Sequence, residues 1–253
     1  MKIEIVSCLN DNYSYIIQDE LTNTVGVVDP SEFKSIDDII FNKYQKLDYI
    51  LNTHHHNDHI GGNQDLKKKY KAKIVASKID KDRIQNIDLY VDEDTKFNLG
   101  KIAFQILFIP GHTKGHIGFY SKEEKIIFTG DTLFSLGCGR IFEGTFEQMF
   151  SSIKKIKKLP KDTKIYCGHE YTKSNYEFCK TFDTTNKELP KKKLWIEDRI
   201  KKGLPTIPVT LEEECNTNIF LRCDNIALKK ELKMEDSSEV LVFQRLRNLK
   251  DQF

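Results

Sequence analysis

Long apolar runs are missing from this chain. No stretch approaches the ~18 consecutive apolar residues that a membrane-crossing helix requires, so no helical membrane span is expected. Cysteine is scarce: six in 253 residues, none in a Cys-x-x-Cys pair. A chain of this length can bury a core without a disulfide scaffold, so Cys8, Cys138, Cys167, Cys179, Cys215 and Cys223 read as reduced thiols of an intracellular protein. A surplus of one charge sign is also lacking. Forty Lys and Arg stand against 38 Asp and Glu, a net charge of +2, which is not the balance of a protein that wraps nucleic acid. Lysine clusters such as Lys67-Lys68-Lys69 and Lys191-Lys192-Lys193 read as solvated helix faces. The first residues, Met1-Lys2-Ile3-Glu4-Ile5-Val6, show no signal or transit pattern, so the expected location is the cytoplasm.

Histidine is distributed differently from the rest. The chain has seven, and all lie in three short segments: Thr53-His54-His55-His56-Asn57-Asp58-His59, Gly111-His112-Thr113-Lys114-Gly115-His116 and Cys167-Gly168-His169-Glu170-Tyr171. Such confinement points to one shared site. Imidazole nitrogen with carboxylate oxygen suits zinc, iron or manganese. In an extended segment residues i and i+2 point the same way, so His54 and His56 can grip one ion while His55 turns away. Asp58 and His59 can reach a second position. Four residues cannot complete two metal shells, and His112, Asp131 and His169 are the best further candidates. Asp131 follows the apolar run Ile126-Ile127-Phe128, and its two carboxylate oxygens could bridge two ions.

A coarse reading along the chain places these residues. Strands are expected at 3–6, 13–18, 24–28, 48–52, 74–76, 102–109, 117–121, 125–129 and 163–167, and a turn at Asp29-Pro30. Every candidate ligand then lies just past the C-terminal end of a strand, in the loops where rigid α/β scaffolds carry chemistry. Helices are expected from Ile36 to Phe41, over 64–70 with Asn63 as cap, and after Thr145, whose spacing to Gln148 has capping-box form. Beyond about residue 171 the strand pattern stops. Residues 174–182, 186–202 and 237–252 read as helical, the last capped by Asp236 with Glu239. Two domains are therefore expected, 1–170 carrying the metal ligands and a helical 171–253 carrying substrate-binding residues, with no low-complexity linker between them.

At this point the chain resembles a known family. His-x-His-x-Asp-His, Gly-His-Thr-x-Gly-His, Thr129-Gly130-Asp131-Thr132-Leu133-Phe134 and Gly168-His169-Glu170-Tyr171, in that order, look like the metallo-β-lactamase superfamily. Gly61-Gly62-Asn63, Gly137-Cys138-Gly139-Arg140 and the terminal Lys250-Asp251-Gln252-Phe253 narrow the likeness to its glyoxalase II (hydroxyacylglutathione hydrolase) branch, from Met1 to Phe253. The resemblance implies an αββα metallo-β-lactamase-like sandwich with a smaller C-terminal helical domain. It implies two divalent ions per chain, zinc first with iron or manganese as alternatives. His54, His56 and His112 would hold one, Asp58, His59 and His169 the other, and Asp131 would bridge them. Asp58 could also orient or deprotonate the attacking water.

The implied reaction is hydrolysis of S-(2-hydroxyacyl)glutathione, with S-D-lactoylglutathione as the expected substrate and D-lactate and glutathione as products. That is the second step of methylglyoxal detoxification. The implied partner is this small thioester, with no nucleic acid and no membrane, and a monomer is expected. Arg247 and Lys250 lie three residues apart on one helical face and could receive a carboxylate. In glyoxalase II the matching residues bind the glycine carboxylate of glutathione, together with positions matching Arg140 and Tyr171. Two departures stand out: Arg140 replaces the usual lysine and Phe142 the usual tyrosine. Two rivals are a mononuclear-iron glutathione persulfide dioxygenase of the same superfamily and a non-catalytic glutathione-binding protein.

Overall fold

The computed structural model describes residues 1–93 and 95–253. The chain forms two compact units, one of Met1–Phe108 with Lys114–Gly130, the other of Ile109–Thr113 with Asp131–Phe253. This division by compactness falls at Gly130, whereas the sequence pattern places a boundary at residue 170.

The first unit is built on two sheets. Strands β1 (Lys2–Cys8), β2 (Asn12–Asp19) and β3 (Thr24–Val28) are an antiparallel meander. Strands β4 (Tyr49–Leu51), β5 (Lys73–Ser77) and β6 (Leu89–Val91) continue the sheet in parallel. Parallel strands need crossovers, supplied by α1 (Lys34–Ile39) between β3 and β4 and by the short α2 (Asn57–Ile60) with α3 (Asn63–Tyr70) between β4 and β5. The second sheet of this unit runs antiparallel through β7 (Lys96–Leu99), β8 (Ile102–Phe108), β9 (Ile117–Ser121) and β10 (Ile126–Gly130).

Two-residue periodicity sorts the side chains. Val25, Val27, Ile50 and Ile74 share a cluster with Ile36, Ile40 and Leu66 on the helix-facing side. The alternate residues face the second sheet: Tyr15 meets Phe128 at 5.2 Å between ring centroids, and Tyr49 meets Phe97 at 5.2 Å. Each buried Ile, Leu or Val contributes about 1.5–3 kcal/mol.

Two caps differ from expectation. The N-cap of α3 is Gly62, because the Asn63 amide exchanges hydrogen bonds of 2.8 and 3.2 Å with Asn52. Tertiary pairing took the side chain that local spacing assigned to capping.

In the second unit the hairpin β11 (Leu133–Phe134) and β12 (Gly137–Cys138) is followed by α4 (Phe146–Lys157), whose Thr145–Gln148 capping box is present. Strand β13 (Lys164–Cys167) pairs antiparallel with β14 (Val209–Thr210). Helices α5 (Thr172–Phe182), α6 (Leu189–Lys201), α7 (Leu211–Thr217), α8 (Ile226–Glu231) and α9 (Glu239–Asp251) complete it. Ser238, not Asp236, is the N-cap residue of α9. The expected helices omitted α7, although Thr210-x-x-Glu213 forms a capping box that announces it. Phe178, Phe220 and Phe243 form the aromatic core of this unit, with Phe178 and Phe220 stacked at 5.9 Å and Phe220 and Phe243 edge-on at 5.8 Å.

Candidate metal centre

The parallel register decides the first group of candidate ligands. Val28 pairs with Leu51, so the residues after β3 and β4 emerge side by side. Asp29 adopts a left-handed backbone (φ 47°), which aspartate tolerates better than most residues. Its carboxylate accepts from the Thr53 N–H at 2.7 Å, from the Thr53 hydroxyl at 2.6 Å and from His59 Nδ1 at 3.0 Å.

These bonds assign tautomers. The hydroxyl's single proton goes to Asp29, so Thr53 Oγ1 must accept from His54 Nδ1, 3.0 Å away. Both His54 and His59 are then left with a lone pair on Nε2. His54 Nε2 lies 3.1 Å from His56 Nδ1, and His59 Nε2 lies 3.5 Å from Asp58 Oδ2. The Asn12 amide fixes Asp58 by donating to Oδ2 at 2.9 Å and to its carbonyl at 3.1 Å. His55 points elsewhere, with Nδ1 3.6 Å from the buried Asp80 carboxylate and Nε2 3.4 Å from Arg83. His116 stacks on His54 at 4.7 Å. Gly130 (φ 47°) faces Thr53 and His116 so closely that a Cβ would collide with the Thr53 hydroxyl.

The second unit assembles its group from longer range. His112 Nδ1 donates to the Arg140 carbonyl at 2.8 Å, which leaves its Nε2 lone pair 3.4 Å from Asp131 Oδ2. His169 Nε2 stands 3.3 Å from the same oxygen. His169 stacks face to face on Tyr171 at 4.7 Å, and Phe134 closes edge-on at 5.9 Å. Phe142, 62% exposed, sets its ring edge against His112 at 5.2 Å. Gly139 lies against the Asp131 carbonyl, where any Cβ would overlap that oxygen.

The donor chemistry fits a divalent cation. In both groups an imidazole with its outer nitrogen held by an acceptor turns a lone pair on a carboxylate oxygen. Such an arrangement is repulsive unless a cation, a proton or a metal ion, lies between. Imidazoles held in this way by a carboxylate or a carbonyl are characteristic of metal ligands.

The cationic candidates also come together. Arg140 is exposed, with Nε 3.7 Å from Asp251 Oδ1, and Arg247 Nη2 donates to the same oxygen at 3.0 Å. Lys250 reaches Ser174 at 3.3 Å. Burial, with Arg247 and Arg140 nearby, holds its amine below the usual lysine range. Arg247 does not stand in solvent: it is 3% exposed, and its Nη1 donates to the Cys138 carbonyl at 2.7 Å. Burial raises the Cys138 thiol to about 11 and Cys167 to about 12, so neither is poised as a thiolate nucleophile.

Sequence reasoning missed Asp29 and Asn12. Asp29 read as half of an Asp-Pro turn, and its position at a strand end beside the histidine strand was the available signal. Asn12 carried none.

A metallo-β-lactamase superfamily model matches residues 10–169 and a hydroxyacylglutathione hydrolase C-terminus model matches residues 170–253. The chain is 50% identical over its whole length to all of the hydroxyacylglutathione hydrolase of Pelagibacter ubique. This chain belongs to the hydroxyacylglutathione hydrolase family. It is also 41% identical to the hydroxyacylglutathione hydrolase of a Synechococcus strain, with both chains fully covered. The crystal structure of ETHE1 from Myxococcus xanthus superposes with a TM-score of 0.70 at 23% identity, covering 98% of this chain and 91% of that one. That likeness carries the fold: a metallo-β-lactamase fold with a helical C-terminal region.

Proposed function

We propose that the protein is a binuclear metal-dependent thioesterase that hydrolyses S-(2-hydroxyacyl)glutathione, with S-D-lactoylglutathione as its substrate. The observation that carries the reading is full-length identity of 41–50% to hydroxyacylglutathione hydrolases, joined to two ligand groups whose tautomers suit a metal. His54, His56 and His112 would hold one ion and Asp58, His59 and His169 the other, with Asp131 serving both; zinc is the first choice, with iron or manganese as alternatives. Bound divalent ions supply a water-derived nucleophile at neutral pH and polarise the thioester carbonyl.

The chain's own residues do the rest. Asp29 and the Arg140 carbonyl keep His59 and His112 in the ligating tautomer. Asp58, which the Asn12 amide orients, would take a proton from the attacking water. The thiolate leaves readily and needs no strong acid beside it. Arg140 and Lys250 receive the remote carboxylate of glutathione, with Arg247 adding charge from behind and Tyr171 lining the site. Residues 1–170 supply the ligands, and 171–253 supply most of the substrate contacts. Phe142 adds an apolar ring edge beside His112.

The same full-length matches favour the hydrolase over the persulfide dioxygenase and over a non-catalytic binding protein. The test is release of glutathione from S-D-lactoylglutathione, run with elemental analysis. Two metal ions per chain with hydrolysis is the expected result. Oxygen uptake with glutathione persulfide and no thioester cleavage would favour the dioxygenase. At most one ion at full activity would overturn the binuclear assignment.

A further inference from the structure

Arg247 is buried on every side. Its Nη1 donates to the Cys138 carbonyl at 2.7 Å, Nη2 pairs with Asp251 at 3.0 Å, and the guanidinium lies 5.4 Å from the centre of the Phe220 ring. Cys138 belongs to the loop that begins at Asp131 and returns at Arg140. The Gly139 N–H reaches the Thr132 carbonyl at 3.4 Å, Gly139 packs on the Asp131 carbonyl, and the Arg140 carbonyl holds His112 Nδ1 at 2.8 Å. The loop's far end is braced separately, by Asn175 on the Ser135 carbonyl at 3.0 Å and by Asn218 on the Phe134 and Gly137 carbonyls at 3.2 and 3.0 Å. Of the carbonyls these side chains hold, that of Cys138 is the nearest in sequence to Arg140.

We infer that Arg247 is a positioning residue for the metal ligand His112. It fixes the Cys138 carbonyl, which sets the path of Gly139 and Arg140, which sets the acceptor that orients the imidazole. The C-terminal helix thereby acts on the metal centre as well as on substrate charge. This rests on the metallohydrolase reading, but the decisive measurement needs no substrate.

Zinc-loaded wild type, Arg247→Met, Arg247→Lys and Lys250→Met are mixed with a chromophoric chelator and zinc release is followed. Loss of a partner that orients a ligand typically weakens metal binding ~10–100-fold, and Arg247 acts two steps away, so Arg247→Met should release zinc about tenfold faster. Arg247→Lys keeps one donor and should fall between Arg247→Met and wild type. Lys250→Met, whose amine bonds to Ser174 rather than to the Cys138 or Arg140 carbonyl, should release zinc as wild type does. Turnover of Arg247→Met should show a lower kcat on thioesters with and without a terminal carboxylate. Zinc release by Arg247→Met within twofold of wild type, with loss confined to KM for the carboxylated thioester, overturns the proposal. Should Arg247→Met not fold, Arg247→Lys is compared with Asp251→Asn, which spares the Cys138 contact. Faster release by Arg247→Lys alone supports the relay, and equal release by both overturns it. Zinc-bound wild type that fails to cleave the glutathione thioester overturns the proposed function and leaves this inference standing.

Discussion

The two ligand groups are oriented by different means. In the first unit four of the proposed ligands lie within Thr53–His59, and one side chain, Asp29, sets the tautomers of His54 and His59 through Thr53 and directly. In the second unit His112, Asp131 and His169 come from three separate loops, and the acceptor that orients His112 is a backbone carbonyl, that of Arg140. A side-chain hub can be removed by one substitution. A carbonyl can be disturbed only by moving the chain that bears it. The first group is therefore exposed to point mutation of a residue outside the proposed ligand set, whereas the second is guarded by packing.

The largest effect should come from the residue on which the second group converges. Asp131→Ala should strip metal and lower kcat by about a thousandfold or more, since several kcal/mol of charge stabilisation are lost at 1.36 kcal/mol per factor of ten. His55→Ala, outside both groups, should lose far less. Equal losses in kcat and metal content would show that the ligand assignment is mistaken.

Asp29→Ala sharpens the contrast. It releases Thr53 and His59 together, so metal affinity should fall roughly 10–100-fold, as read by chelator competition. A value at the wild-type level would remove Asp29 as the hub.

The backbone route is tested by Gly139→Ala. The added methyl overlaps the Asp131 carbonyl oxygen, so the loop must shift. Overpacking of this kind costs about 1–3 kcal/mol, visible as a lower Tm together with reduced zinc content. A stable, fully loaded variant would mean that the loop adjusts freely.

A smaller effect belongs to substrate charge. Lys250 is half-buried, so screening reduces its contribution below the ~1.5–3 kcal/mol of a fully enclosed charged bond, and Lys250→Met should raise KM about tenfold with kcat little changed. Because its pKa is lowered, its cation is lost at a lower pH than for a free lysine. KM for the carboxylated thioester should thus begin to rise with pH before 10.5, and a thioester lacking that carboxylate should show no such rise. The smallest effect concerns the thiols. With Cys138 raised to about 11 and Cys167 to about 12, iodoacetamide at pH 8 should leave activity intact.

The sequence by itself determined which atoms the site has to work with and where along the chain they lie. Confinement of every histidine to three segments, each following an apolar strand pattern, is a local property. The His-x-His spacing suggests that His54 and His56 point one way and His55 another, although the strand itself ends at Leu51. Tertiary structure decided what stands behind each ligand. Asp29 became a hub because parallel pairing of Val28 with Leu51 set two strand ends together, and no spacing within either strand encodes that register. Asn63 left its expected capping role because Asn52 offered it a buried partner. Arg247 and Lys250 do share a helical face, as three-residue spacing requires. How deeply each is buried depends on other segments: Phe220 and the Cys138 loop enclose Arg247, and Phe178 and Ser174 meet Lys250. Period and spacing fix a side chain's direction within its own segment; the surface it meets is set by chain segments distant in sequence.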